Sequence, residues 1–123
     1  MTNNDQKLIF IIDDDEAYLE LLANYFTKFT GSVRRYTSAK DALNELSETP
    51  DLVILDYYLN NDSEDGGKFF LKIKAEKPQT RVAILSSQNS GDVVIELLKI
   101  GVKDYLVKDA SIFKQIDQLM SDI

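Results

Sequence analysis

The run Leu8-Ile9-Phe10-Ile11-Ile12-Asp13-Asp14-Asp15 is a block of five apolar residues that ends abruptly in three acids. A continuous apolar run, rather than an alternating one, is typical of a strand that is covered on both faces. The same pattern returns at Leu52-Val53-Ile54-Leu55-Asp56. The sequence therefore predicts two buried strands that both end in carboxylates.

Apolar residues at helical spacing alternate with three further strand candidates along the chain. These strands are predicted over residues 33–36, 82–85 and 105–107, and a polar loop over residues 60–67. Helices are predicted over residues 16–29, from a cap at Ser38 to Thr49-Pro50, from Phe69 to a stop at Pro78, from Val93 to Gly101, and over residues 112–120. Because strands joined by helical crossovers form parallel sheets, we expect a doubly wound α/β fold. Its five strands should have the flavodoxin-like order 2-1-3-4-5, with five helices on both faces.

Composition limits the functions open to the chain. With 123 residues, 44% of them hydrophobic, residues 1–123 are expected to form a single domain with no second domain. The chain has neither cysteine nor histidine, so a metal site would use oxygen ligands, which favours Mg²⁺ or Ca²⁺ over zinc. The net charge of −7 opposes contact with phosphate backbones, so we expect protein partners and no direct nucleic-acid binding. Because residues 1–6 are polar and no segment reaches membrane length, we expect a cytoplasmic protein without a membrane segment.

The acids at the strand ends form the candidate site. In the order 2-1-3-4-5, strands 1 and 3 are neighbours, so Asp13 and Asp14 should emerge beside Asp56. Crowded carboxylates need shared protons or a cation, and Mg²⁺ is the better match because it takes a few carboxylates together with waters and phosphate oxygens. Asp56 would then attack a phosphoryl donor as a carboxylate nucleophile. Ser86 and Lys108, at the ends of strands 4 and 5, would supply a hydroxyl and an ammonium to the phosphoryl oxygens.

Four stretches of the chain resemble the receiver domain of two-component response regulators. They are Ile11-Ile12-Asp13-Asp14-Asp15, Leu52-Val53-Ile54-Leu55-Asp56, Ala83-Ile84-Leu85-Ser86 and Gly101-Val102-Lys103-Asp104-Tyr105-Leu106-Val107-Lys108. The resemblance implies that a histidine kinase or phosphotransfer protein phosphorylates Asp56, with Lys108 contacting the phosphate. It also implies a Mg²⁺ ion held by Asp13, Asp14, Asp56 and the main-chain carbonyl of Tyr58. Such a domain regulates other proteins rather than acting as an enzyme on a separate substrate.

The resemblance also implies a two-state relay. Ser86 would be drawn to the phosphoryl group and Tyr105 would rotate inward, which changes the surface of helix 4, strand 5 and helix 5 for a downstream protein target. The chain departs from the family pattern at two places. The loop over residues 57–66 is about two residues longer than usual and lacks its proline, and Asp109 stands where a proline typically follows the lysine.

Simpler explanations exist for each candidate residue taken alone. Asp14 or Asp15 can cap the first helix, and Asp56 can form an Asx-turn. Ser86 can cap the fourth helix, and Lys108 can be a solvated charge at a strand end. An aromatic residue such as that at position 105 is also common in ordinary strand packing. The joint placement of the acids is what favours a functional site.

Two other functions fit parts of the sequence. Asp13-Asp14-Asp15 after strand 1 also matches the Asp-x-Asp nucleophile pattern of Mg²⁺-dependent phosphohydrolases resembling the haloacid-dehalogenase class, although the chain is short for that class and lacks a late acidic motif. A receiver-shaped adapter that is never phosphorylated would instead work through constitutive contacts.

Overall fold

A central sheet of five parallel strands organises the described part of the chain. The computed structural model describes residues 7–59, 65–87 and 91–123. The strands are β1 Leu8–Ile12, β2 Ser32–Tyr36, β3 Leu52–Asp56, β4 Arg81–Ser86 and β5 Asp104–Val107. The helices are α1 Glu16–Phe26, α2 Ala39–Asn44, α3 Gly66–Glu76, α4 Gly91–Lys99 and α5 Ile112–Ser121, with a short 3₁₀ helix at Leu46–Glu48. The strand order is β2-β1-β3-β4-β5, which confirms the predicted fold class.

The register of the sheet places the ends of β1 and β3 side by side. Ile12, the last residue of β1, pairs with Leu55 in β3, and all neighbouring strands run parallel. The residues that follow these two positions, Asp13 and Asp56, therefore leave the sheet together at its carboxyl edge. This is the edge at which open parallel sheets bind ligands.

Two hydrophobic clusters cover the two faces of the sheet. Ile9 and Ile11 of β1 face the cluster formed with α1 and α5, whereas Phe10 and Ile12 face the cluster formed with α2, α3 and α4. All four side chains are 0% exposed. This two-sided coverage explains why β1 is a continuous apolar run rather than an alternating one. No helix within the described ranges is long and apolar enough to cross a membrane.

Several helix boundaries differ from the sequence prediction. Helix α1 ends at Phe26 rather than at residue 29, because Phe29 N–H bonds to Phe26 O at 2.9 Å and closes a tight turn. The second helix continues only as the 3₁₀ segment after Asn44 and ends at Thr49, which has a left-handed φ of 56°. Helix α3 begins at Gly66, inside the predicted loop, because the Asp65 side chain caps it by accepting from Lys68 N–H at 3.0 Å. The remainder of that loop, residues 60–64, lies outside the described residues.

The apolar stripe predicted for the fourth helix is only partly buried. The predicted stripe consists of Val93, Val94, Leu97, Leu98 and Ile100. Leu97 is 2% exposed, but Leu98 is 62% exposed. Consecutive helical residues point about 100° apart, so Leu97 and Leu98 cannot both face the sheet. Helix α4 therefore packs through a narrower face than its sequence indicates.

Candidate functional site

Three carboxylates meet beyond the carboxyl ends of β1 and β3. Asp13 is fully buried, Asp56 is 4% exposed, and Asp14 is half-buried. One carboxylate oxygen from each residue lies within 4.8 Å of the others. The structure thus brings together the three acids that the sequence places at these strand ends. We call this group the acidic crevice.

The three consecutive acids after β1 have different surroundings. Asp13 Oδ1 accepts a hydrogen bond from Asp15 N–H at 2.9 Å, which fixes the turn out of the strand. Asp15 Oδ1 accepts from Ala17 N–H at 3.1 Å and Tyr18 N–H at 3.2 Å, so Asp15 is the N-cap of α1. The sequence allowed either Asp14 or Asp15 as this cap, and in the structure Asp15 caps the helix. Asp14 instead contributes a carboxylate oxygen to the acidic crevice.

Lys108 reaches the acidic crevice from the end of β5. Its Nζ lies 2.8 Å from Asp13 Oδ2 and 3.2 Å from Asp56 Oδ2, and its side chain is 18% exposed. Its backbone N–H donates to Ser86 O at 2.9 Å, which anchors the residue beside β4. Burial lowers the pKa of Lys108, but the contacts with Asp13 and Asp56 outweigh it and leave that pKa above its ordinary value. The ammonium therefore stays charged at neutral pH.

Asp56 is a carboxylate with an unusual proton affinity. Burial, followed by the negative charge of Asp13, raises the pKa of Asp56 to about 7. The charge and hydrogen bond of Lys108 and the Tyr58 N–H oppose this shift. Tyr58 N–H donates to Asp56 Oδ1 at 3.2 Å, which is the Asx-turn contact that the simpler explanation predicted. Asp56 forms this turn and also contacts Lys108, so a structural role in the turn does not exclude a role in a functional site.

The acidic crevice suits a divalent cation. Three carboxylates face one ammonium, and no described residue donates a hydrogen bond to the buried Asp13 Oδ2, which only pairs with Lys108. The Lys108 ammonium already contacts this oxygen, but its single positive charge offsets only one of the three carboxylates, so a divalent cation would offset the remaining negative charge. Since the cluster is built from oxygen ligands alone, it matches a hard ion such as Mg²⁺ or Ca²⁺ rather than zinc.

The two predicted switch residues lie in β4 and β5. Ser86 ends β4, is 0% exposed, and pairs with Val107 across the sheet. Ser86 is therefore a strand residue, and the described part of α4 begins at Gly91. Tyr105 is half-buried, pairs with Ile84, and packs against the cluster on the α2–α3–α4 face. The predicted relay between Ser86 and Tyr105 remains a prediction.

Side-chain hydrogen bonds close the loop after Lys108, where Asp109 replaces the family's proline. Asp109 Oδ1 accepts from Ser111 N–H at 2.8 Å, Ser111 Oγ at 2.6 Å and Gln115 Nε2 at 3.2 Å. Gln115 also accepts from Val107 N–H at 2.9 Å and donates to Val107 O at 3.0 Å. These bonds tie the end of β5 to α5 on either side of Lys108.

Sequence reasoning missed two residues beside the acidic crevice. The Tyr18 ring lies against the Lys108 ammonium, with 4.8 Å between Nζ and the ring centroid. At Gly66, an added Cβ would lie 2.7 Å from Tyr57 Cα and 3.0 Å from Asp56 O. Gly66 had a signal in the sequence, since Gly66-Gly67 is an unusual way to start a helix. The contact of Tyr18 with Lys108 joins distant segments and had none.

Comparison with known proteins places the chain in a family. Residues 9–120 match the model of the response regulator receiver domain. The chain is 28% identical to the transcriptional regulatory protein CssR of Bacillus subtilis (strain 168), over 81% of this chain and 44% of that protein. It is 31% identical to the transcriptional regulatory protein ZraR of Escherichia coli (strain K12), over 81% of this chain and 22% of that protein. The chain spans less than half the length of either relative.

A solved structure of a response regulator has the same fold. A response regulator protein from Burkholderia pseudomallei, with a phosphorylated aspartic acid, a calcium ion and citrate, has a TM-score of 0.79 and 25% identity to this chain. The match covers 94% of this chain and 69% of that one. The fold and the family match define a receiver domain of two-component response regulators. The chain belongs to the response regulator receiver domain family.

Proposed function

We propose that this chain is a signalling switch that accepts one phosphoryl group on Asp56 in the presence of Mg²⁺. The donor is a histidine kinase or a phosphotransfer protein, and the recipient of the signal is a downstream protein target. The compartment is the cytoplasm. The proposal is supported by membership of the receiver family and by relatives that are transcriptional regulators.

One observation carries the proposal. Asp56 is nearly buried, yet it lies 3.2 Å from the Lys108 ammonium and within a cluster of two further carboxylates. A structural carboxylate would gain nothing from like charges at this distance, because they raise its pKa and oppose its ionisation. A nucleophile that must receive a charged phosphoryl group, with a cation and an ammonium beside it, explains the arrangement.

The proposed chemistry is a transfer of the phosphoryl group to a carboxylate oxygen. An oxygen of Asp56 forms a bond to phosphorus while the bond from phosphorus to the donor breaks. The leaving group, a histidine nitrogen or the carboxylate of a small acyl phosphate, takes the electron pair. The Lys108 ammonium contacts the phosphoryl oxygens and offsets their charge.

Four groups would hold the metal. These are the carboxylates of Asp13, Asp14 and Asp56 and the main-chain carbonyl of Tyr58. When bound, Mg²⁺ supplies positive charge that offsets the charge of the carboxylates and of the phosphoryl oxygens. The burial of Asp13 in a cluster whose three carboxylates outnumber the single Lys108 ammonium supports its assignment as a ligand.

The proposed output couples the acidic crevice to the surface of α4, β5 and α5. The Ser86 hydroxyl donates to the phosphoryl group, and Tyr105 changes its position in response. The position of Ser86 supports this step, since its carbonyl already accepts the N–H of Lys108, a residue of the acidic crevice. A downstream protein then binds one state in preference to the other.

The test is the added mass of one phosphoryl group. Wild-type protein with Mg²⁺ and acetyl phosphate should gain that mass, and Asp56→Asn should not. Asp41→Asn, an exposed acid in the first turn of α2, is the matched control and should be phosphorylated like the wild type. Full phosphorylation of Asp56→Asn would overturn the assignment. An absence of added mass in the wild type, with acetyl phosphate and with a cognate kinase, would favour the adapter alternative.

The phosphohydrolase alternative needs Asp15 as a second reactive carboxylate. In the structure, Asp15 Oδ1 accepts two backbone N–H groups at the start of α1, and Asp15 is not part of the acidic crevice. The family match also supports a regulator. Turnover of a phosphomonoester that survives Asp56→Asn and is lost in Asp13→Asn would reverse this preference.

A further inference from the structure

Tyr18 contacts the acidic crevice without a role in the chemistry proposed above. It lies in the first turn of α1, where its N–H is bonded to the N-cap side chain of Asp15 at 3.2 Å. Its ring lies against the ammonium of Lys108, with 4.8 Å between Nζ and the ring centroid. The residue is half-buried and packs against the hydrophobic cluster of the α1 and α5 face. Both its backbone and its ring are therefore held in place.

The hydroxyl of Tyr18 does not explain why a tyrosine is present. The oxygen is buried and has no hydrogen-bond partner among the described residues. Burial raises the pKa of Tyr18, and the charge of Lys108 only partly opposes that shift. The side chain is thus a neutral phenol at physiological pH. What it offers its surroundings is the face of the ring, which attracts a cation through the ring quadrupole.

The ring differs in kind from the other two partners of the ammonium. Asp13 and Asp56 also belong to the cluster that suits a divalent cation, so a cation bound there would compete with Lys108 for the same oxygens. The ring of Tyr18 has no lone pairs that such a cation would take. It is therefore a contact that Lys108 can keep whether or not the carboxylates are engaged elsewhere.

We propose that Tyr18 is a positioning residue whose ring holds the ammonium of Lys108 at the acidic crevice, directed towards Asp56. The ring limits the rotamers of a long and flexible side chain, so the ammonium is already in place when a phosphoryl group arrives. This inference rests on the proposed function of Asp56. Its direct physical consequence is that the ring of Tyr18 makes the Lys108 side chain more ordered.

Two substitutions separate the ring from the hydroxyl. Tyr18→Phe keeps the ring and removes the hydroxyl, whereas Tyr18→Leu keeps an apolar side chain and removes the ring. Tyr25→Leu is the matched control, because Tyr25 lies on the same helix and also has a lysine, Lys28, at 4.6 Å from its ring centroid.

The first measurement does not depend on phosphorylation. Relaxation of the ¹³C-labelled ε-methylene of Lys108, in metal-free protein, reports the order of the side chain. The order should fall in Tyr18→Leu and stay at the wild-type level in Tyr18→Phe and in Tyr25→Leu. An unchanged order in Tyr18→Leu would overturn the inference.

The second measurement is the initial rate of phosphorylation by acetyl phosphate at saturating Mg²⁺. In Tyr18→Leu the limiting rate should fall roughly three- to thirtyfold, the range expected for one cation–π contact, with little change in the donor concentration at half-maximal rate. Tyr18→Phe should restore the rate. An equal loss in Tyr18→Phe and Tyr18→Leu would assign the role to the hydroxyl and overturn the inference. If the wild type gains no phosphoryl group, the proposed function fails, and the relaxation result still decides the role of Tyr18.

Discussion

Lys108 Nζ lies 2.8 Å from Asp13 Oδ2, which joins the end of β5 to the end of β1 although β3 and β4 lie between these strands. The same ammonium is 3.2 Å from Asp56 Oδ2 at the end of β3. One side chain at the end of β5 therefore offsets charge at the ends of two other strands, β1 and β3. The stability of the folded chain and the ionisation of Asp56 should both depend on it.

Replacement of Lys108 by methionine should destabilise the protein in a pH-dependent way. At pH 8 the buried carboxylates lose their counter-charge, and we expect a loss of roughly 3–5 kcal/mol in the free energy of unfolding. At pH 5 the carboxyl group of Asp56 takes up a proton, so the loss should be smaller. Urea denaturation at both pH values measures the difference, with Lys40→Met on the exposed face of α2 as control. An equal loss at pH 5 and pH 8 would contradict the electrostatic explanation.

The raised pKa of Asp56 predicts how stability changes with pH. Its folded-state value of about 7 lies above the unfolded value of about 4, so between these pH values the folded protein binds the proton more tightly. The contribution of Asp56 to stability is therefore present below pH 4 and is lost as the pH rises towards 7. Asp56→Asn has no such proton, so it should be more stable than the wild type at pH 8, by roughly 1–3 kcal/mol, and similar at pH 4. Denaturation midpoints of the two proteins from pH 4 to pH 8 measure the sign of this stability difference. A wild type that is more stable than Asp56→Asn at pH 8 would refute the prediction.

A divalent cation should offset the loss of stability that ionisation of Asp56 causes at high pH. Because Mg²⁺ binds the ionised carboxylates of the folded state, it should raise the melting temperature of the wild type at pH 8. At a concentration ten times the dissociation constant the gain is about 1.4 kcal/mol. Asp13→Asn should abolish the effect, whereas Asp15→Asn should retain it, since Asp15 caps α1 and is not in the acidic crevice. Equal Mg²⁺ stabilisation of wild type and Asp13→Asn would exclude Asp13 as a ligand.

The strands and the acidic crevice were predictable because their signals are local and strong. A strand buried on both faces has to be apolar throughout, so Leu8–Ile12 and Leu52–Asp56 are visible in the sequence. Parallel strands end at one edge, so the acids that follow them meet there once the strand order is known. The fold and the convergence of Asp13, Asp14 and Asp56 thus follow from pattern and topology alone.

The missed features depend on distances that no local pattern contains. The sequence could not choose between Asp14 and Asp15 as the cap of α1, because the choice rests on the backbone angles of the turn after β1. It gave no reason to expect the exposure of Leu98, since the width of the buried face of α4 is set by what packs against it. The contact between Tyr18 and Lys108 joins α1 to the end of β5 and appears only after folding.

Gly66 should be essential for the approach of α3 to the loop after β3. Gly66 N–H donates to Tyr57 O at 2.8 Å, and a Cβ at this position would lie 2.7 Å from Tyr57 Cα. Because the obstacle is backbone rather than a flexible side chain, Gly66→Ala has to displace either the helix or the segment that follows Asp56. We expect a loss of roughly 1–3 kcal/mol in the free energy of unfolding, as is usual for overpacking.

The displaced segment contains Tyr58, whose N–H bonds to Asp56 and whose carbonyl is a proposed metal ligand. Gly66→Ala should therefore also weaken Mg²⁺ binding, measured by the metal concentration needed for half-maximal thermal stabilisation. Gly31→Ala is the matched control, because an added Cβ there has no atom within 4 Å and Gly31 does not need a left-handed φ. The control should leave both stability and metal affinity within experimental error of the wild type. If Gly66→Ala lost stability but kept full Mg²⁺ affinity, the displacement would lie in α3 rather than in the segment after Asp56, and the predicted effect on the metal site would be wrong.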